Sequence, residues 1–276
     1  MSLDIGPLRV RFGDRPGVVN IENLTIADGE IVGLAGESGS GKSMTTLAVL
    51  GLARTVGATV EGSIRLNGRE LVGLPERDMR QVRGRRIAAI FQSPAMAFNP
   101  VFRVGSVASR ALRLHGLTGT EAADRMAIGM RQMLLSADLL RRYPGQLSGG
   151  QLQRVAIALA IALRAQVLLA DEPTSALDVT VQAEVLDLLR GLRATEGMSV
   201  LFISHDLAVV AELCDRVAVM RAGVIVEQGE AAQVLAAPTD PYTSDLLAAV
   251  PALPPALPGL PPALPGLPPA PPGGLQ

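Results

Sequence analysis

The 276-residue sequence contains no tryptophan and one cysteine, and aromatic residues make up only 3% of it. A single thiol closes no internal disulfide and builds no cysteine cluster, so Cys214 reads as a small core residue in a reducing compartment. An excess of either charge is also missing, since 25 basic residues face 26 acidic ones for a net charge of −1. Nucleic-acid binding rests on neutralising phosphates, so this balance gives no general attraction to DNA or RNA. The opening stretch MSLDIGPLRVRFGD lacks a basic segment followed by an apolar core, which argues against a secretory signal. Residues 246–276 lack charge altogether and are long enough to cross a bilayer, but 11 of the last 26 residues are proline. Prolines this dense remove the backbone donors that a membrane interior requires, so no transmembrane span is expected.

What is present is an alternation of elements. LRVRF and NIENLTIADG read as short strands, and EIVGLAG as an apolar strand running into a glycine-rich loop. SMTTLAVLGLA then carries helical periodicity, RIAAIFQ and VLLAD read as buried strands, and VQAEVLDLLRGLRAT is a helix leading to the strand SVLFIS. Strands alternating with helices predict a mostly parallel sheet covered on both faces. From about residue 101 to 160 the alternation stops, and SVASRALRLHGL, EAADRMAIGMRQMLLSADLL and LQRVAIALAIALRA predict an all-helical insert. The tail repeats PALPGLP at 255–261 and 262–268, a composition for polyproline II or disorder.

The first chemistry-bearing motif is GESGSGKS at 36–43, placed between a strand and a helix as the phosphate-loop pattern requires. Gly36, Gly39 and Gly41 let the backbone turn so that successive N–H groups face phosphates, and the helix start adds its positive dipole end. In such a loop Lys42 bridges the β- and γ-phosphates and Ser43 offers its hydroxyl to Mg²⁺. The second motif, VLLADEPTSALD, is an apolar strand ending in adjacent carboxylates. Asp171 is placed to hold Mg²⁺ through water, and Glu172, one residue on, to polarise an attacking water. LSGGQ at 147–151 opens a helix with a serine and two glycines, a second anion cradle far along the chain from the first.

GESGSGKS, the glutamine of IFQSP, LSGGQ, LLADEPT with SALD, and FISHD occur in that order over most of residues 9–230. In these motifs the chain resembles the ATP-binding cassette (ABC) family, specifically the ATPase subunits of transporters. The resemblance implies an α/β fold with a P-loop (RecA-like), mostly parallel sheet core, an antiparallel β subdomain and an inserted all-helical subdomain. It places the ATPase domain at residues 1–250, with the insert at about 101–160 and a Pro/Leu-rich tail at 251–276. It also implies an ATP hydrolase that uses ATP and Mg²⁺. Phe12 would stack on adenine, while Gly36, Ser38, Gly39, Ser40, Gly41, Lys42, Ser43 and Met44 would surround the phosphates. Ser43, Gln92 and Asp171 would hold the metal; Gln92 would also contact the attacking water and link it to the insert. His205 would hydrogen-bond the γ-phosphate, so that Glu172, His205, Gln92 and Lys42 form the catalytic set. Ser148, Gly149, Gly150 and Gln151 would close over ATP held by another subunit, with Asp178 at the contact between the two. The other histidine, His115, matches no motif and reads as structural.

Two flanking segments narrow the resemblance. FQSPAMAFNPVFRVG at 91–105 and DPYTSDLLAAVP at 240–251 are similar to segments of oligopeptide, dipeptide and nickel importer ATPases. The cysteine-bearing extension of many peptide-importer ATPases is replaced here by the Pro/Leu repeat, so no iron–sulfur centre carries over. The expected function is ATP-driven uptake of peptides, with a nickel or metal-chelate importer as the alternative. The implied partners are a second ABC ATPase subunit (a heterodimer rather than a homodimer), transmembrane permease subunits and, indirectly, an extracytoplasmic binding protein. The implied location is the cytoplasmic face of the plasma membrane, peripheral through the permease. A soluble cassette acting on nucleic acid is disfavoured by the short insert, the single motif set and the neutral charge. A P-loop kinase would have no use for LSGGQ.

Overall fold

The computed structural model describes residues 2–13, 17–93, 97–175 and 179–249. Asp178 and the Pro/Leu repeat lie outside the described residues. The chain begins with β1 (Leu3–Arg11), β2 (Val19–Ile21), β3 (Leu24–Ile26) and β4 (Ile31–Ala35), followed by α1 (Lys42–Val49). Then come β5 (Thr59–Leu66), β6 (Arg69–Glu70), α2 (Glu76–Val82) and β7 (Ile87–Ile90). Three helices follow, α3 (Val104–Leu114), α4 (Gly119–Gln132) and α5 (Gly149–Ala162). The described chain closes with β8 (Val167–Asp171), α6 (Val179–Glu196), β9 (Ser199–Ser204), α7 (Leu207–Leu213), β10 (Arg216–Arg221), β11 (Val224–Glu230), α8 (Ala231–Ala236) and α9 (Pro241–Ala248).

These strands form two sheets. One has the order β11-β10-β4-β9-β8-β7 and is parallel except for the antiparallel edge strand β11. The other is antiparallel, with β1 pairing β2, β3 and β5, and β5 pairing β6. The fold class is therefore the expected one, a mostly parallel α/β core with an antiparallel β layer and a run of helices between β7 and β8.

The mixed sheet is apolar on both faces because both are covered. Along β9, Leu201 and Ile203 join the core shared with the antiparallel sheet, while Val200 and Phe202 join the core under the helices. On β8, Val167 and Leu169 likewise face one core and Leu168 and Ala170 the other. This is period-two alternation with water on neither side. Met126 and Met130 of α4 and Val155 of α5 belong to the same core as Phe202, so the insert packs onto the sheet's helical layer. Phe202 is fully buried, and its truncation to alanine would cost about 3–5 kcal/mol.

Two elements differ from the sequence reading. The first strand is longer than LRVRF, because Leu3 and Ile5 alternate into the core ahead of Leu8 and Val10. The second insert helix stops at Gln132, short of Leu140. Leu134 takes a left-handed backbone (φ 54), and residues 137–141 form a separate 3₁₀ turn in which the Ser136 hydroxyl accepts from Asp138 N–H. Among the described residues no helix is long and apolar enough to cross a membrane.

Candidate active site

The site sits at the carboxyl ends of adjacent parallel strands. β4 delivers the glycine-rich loop, β8 ends at Asp171 and β9 at Ser204, with His205 directly after it. The loop is held by close backbone approach. Gly36 has φ 146, and a Cβ there would lie 2.2 Å from the Met220 carbonyl oxygen, so only glycine fits. Lys42 Nζ curls back and donates to the carbonyls of Gly36 (2.7 Å) and Glu37 (2.8 Å). Burial lowers the Lys42 pKa against the pull of the carboxylates of Glu172, Asp171 and Glu37.

A cavity of about 770 Å³ opens over this loop. Phe12, Gly36, Ser38, Gly39, Gly41, Lys42, Ser43, Met44, Gln92, Glu172 and His205 line it, all named from the sequence, together with Val18, Glu37 and Leu246, which were not. Ser40 belongs to the same loop, but its side chain is buried and does not line the cavity; its carbonyl accepts from Gly223 N–H. That bond ties the loop to the turn between β10 and β11.

Glu172 is the hub. One carboxylate oxygen lies 3.1 Å from His205 Nδ1, and the other accepts from Gln92 Nε2 at 3.0 Å. Its backbone is left-handed (φ 49), uncommon for a residue with a side chain, while its N–H donates to the Ile203 carbonyl of β9. The carboxylate lines the cavity. Ser43 Oγ donates to Asp171 Oδ1 at 3.1 Å. Burial, aided by the charge of Glu172, raises the Asp171 pKa against the Ser43 hydrogen bond and the charge of Lys42.

A model of the ABC transporter family matches residues 19–175. The chain belongs to the ABC transporter family. It is an ATP hydrolase of that family and is similar to ATP-binding proteins of peptide importers. One is the probable peptide ABC transporter ATP-binding protein y4tR of Sinorhizobium fredii (strain NBRC 101917 / NGR234), 44% identical over 91% of this chain and 77% of that protein. Another is the oligopeptide transport ATP-binding protein OppD of Salmonella typhimurium, 43% identical over 91% of this chain and 76% of that one. Among solved structures, the dimeric post-hydrolysis state of the ATP-binding cassette MJ0796 bound to ADP and Pi superposes with a TM-score of 0.71. That match has 27% identity and covers 84% of this chain and 99% of the other. The cassette cbiO1 from Clostridium perfringens, part of the cbiONQ complex, gives a TM-score of 0.75 at 25% identity over 85% of this chain and 90% of that one.

The signature residues of this ABC ATPase lie elsewhere. Ser148 caps α5: its Oγ accepts from Gln151 N–H at 3.2 Å, and Gln151 Oε1 accepts from Ser148 N–H at 3.1 Å. None of Ser148, Gly149, Gly150 and Gln151 lines the cavity. The same helix is nevertheless tied to the loop after β8, because buried Gln153 donates through Nε2 to the carbonyl of Pro173, next to Glu172. Sequence reasoning missed this bond, which joins a position just past one motif to a position in another. His115 is half-buried in a second cleft of about 630 Å³ with Arg85, Arg86 and Arg164, near the amino ends of β7 and β8, away from the phosphate loop. Burial, with the charge of Arg85, lowers its pKa.

Proposed function

We propose that the chain is the ATP-hydrolysing subunit of a peptide importer, working as one of two cassettes that sandwich ATP between them. The carrying observation is that one cavity gathers the phosphate loop with Gln92, Glu172 and His205 and contains none of the signature residues. A triphosphate held by the loop keeps γ-phosphate oxygens on its open side, and the start of α5 suits the corresponding oxygens of a nucleotide held by a partner cassette. Glu172 takes a proton from the attacking water, His205 and Gln92 fix the direction of that carboxylate, and Lys42 leaves its two carbonyls to meet the phosphates. Once the γ-phosphate is cleaved, the group bridging the subunits is gone and the pair can part.

The residues present fit a Mg²⁺ ion. Among the described residues no three His, Cys, Asp or Glu side chains gather into a metal cluster, and Mg²⁺ with a nucleotide needs none. It takes a hydroxyl, one carboxylate, waters and phosphate oxygens. Ser43 and Asp171 supply the first two and Gln92 an amide oxygen, and the raised Asp171 carboxyl is a buried group that a cation would relieve. Bound there, the ion would neutralise charge on the β- and γ-phosphates.

Peptide cargo is supported by the names of the relatives and by the segments at 91–105 and 240–251. The same segments support a second ATPase chain of related sequence, permease subunits in the membrane and an extracytoplasmic binding protein. The chain then works at the cytoplasmic face of the membrane without crossing it. Reconstituting the cassette with its permease in liposomes tests this. ATP-dependent uptake of labelled peptide, abolished by Glu172→Gln, is expected; uptake of nickel but of no peptide would replace the cargo assignment.

A further inference from the structure

The segment after β11 lies beyond the stretch that the family model matches, yet it returns to the phosphate loop. Glu227 on β11 anchors the return, its carboxylate accepting from Thr239 N–H and Oγ1 at 2.8 Å and from Asp240 N–H at 3.2 Å. Asp240 then caps α9 by accepting from Tyr242 N–H at 2.8 Å, with Pro241 at the first helical position. Helix α9 thus has a fixed start and a fixed direction. Its first turn buries Tyr242, whose ring lies under the Arg221 guanidinium at 4.8 Å and whose hydroxyl oxygen accepts from Glu37 N–H at 3.1 Å. One turn later, on the same side of the helix, Leu246 lines the nucleotide cavity together with Phe12 and Val18.

We propose that α9 is part of the nucleotide site: Tyr242 fixes the first turn of the phosphate loop, and Leu246 adds an apolar wall for the purine beside Phe12. The proposal rests on the reading of this cavity as the ATP site. The carbonyls of Gly36 and Glu37 are engaged by Lys42, and the N–H of Glu37 by Tyr242, so this turn is held from the inside and from α9 at once. Tyr242 touches no phosphate position and is a positioning residue. Leu246 would select for a ligand that carries a base.

The two side chains therefore predict different signatures, which inorganic tripolyphosphate, a ligand without a base, separates from ATP. With the full chain, Tyr242→Phe is expected to weaken ATP and tripolyphosphate alike by about three- to tenfold, the size of one ordinary hydrogen bond. It is also expected to raise the KM for ATP with kcat changed by less than about twofold. Leu246→Ala is expected to weaken ATP by about threefold, from partial loss of apolar contact, and to leave tripolyphosphate unchanged. Parental affinities in both variants would overturn the proposal, as would equal losses for both ligands in both variants accompanied by a fall in Tm. Lys42→Ala serves as the reference: if it binds ATP as well as the parent does, the ATP reading of the cavity falls first and α9 with it.

Discussion

The two anion cradles of this chain are built on opposite terms. The phosphate loop hangs from a sheet buried on both faces, and beside it Glu172 already lies within hydrogen-bonding distance of both His205 and Gln92. The signature cradle sits on the helical insert, where a capping box satisfies the N–H groups of Ser148 and Gln151 at the start of α5. In the reading proposed above, one cradle serves chemistry and the other serves recognition. Within the chain they are joined by the core that α5 shares with β8 and by the hydrogen bond from Gln153 to the Pro173 carbonyl.

The sharpest way to break this contrast is Glu172→Gln. It removes the carboxylate but keeps the shape, so turnover measured by phosphate release is expected to fall about 10²–10⁴-fold while ATP binding persists. Retained turnover would mean that the assembled cradle is not the chemical one. Ser148→Arg attacks the other cradle. It is expected to lower turnover about 10²-fold by blocking closure, with binding of a fluorescent ATP analogue to the isolated subunit unchanged. Light scattering of the ATP-bound Glu172→Gln protein with and without Ser148→Arg reads the assembly directly, and equal dimerisation would erase the distinction.

A smaller effect separates the metal from the nucleotide. Because burial raises the Asp171 carboxyl, protons compete with a bound cation from a higher pH than at an ordinary aspartate. Mn²⁺ affinity of the ATP-loaded protein, followed by electron paramagnetic resonance, is expected to fall as pH is lowered, by up to about tenfold per pH unit below that pKa. Asp171→Asn is expected to flatten this dependence to that of free ATP. The smallest effect is expected from deleting residues 252–276, with ATPase activity changed by less than about twofold, since the Pro/Leu repeat carries none of the sequence motifs.

The phosphate loop and the paired carboxylates were legible because each is local: a few consecutive residues between a strand and a helix define the chemistry. The convergence of Gln92, Glu172 and His205 was legible only through resemblance, since nothing in three separate motifs states that β7, β8 and β9 end side by side. Tyr242 and Leu246 were read as markers of a transporter group. The bond of Tyr242 to Glu37, and the place of Leu246 in the cavity that Phe12 lines, depend on a return of the chain across more than 200 positions, which periodicity does not encode. Ser40 belongs to the same motif as the phosphate loop, but its side chain is buried, which the motif alone does not state.

Hanging the chemistry on the carboxyl ends of neighbouring parallel strands also limits how the chain can vary in length. Inserting one residue within β8 or β9 would swap Leu168 with Leu169, or Phe202 with Ile203, between the two cores. It would also turn Asp171 or His205 away from the loop. The residue count of these strands is therefore fixed by the sheet and the site together.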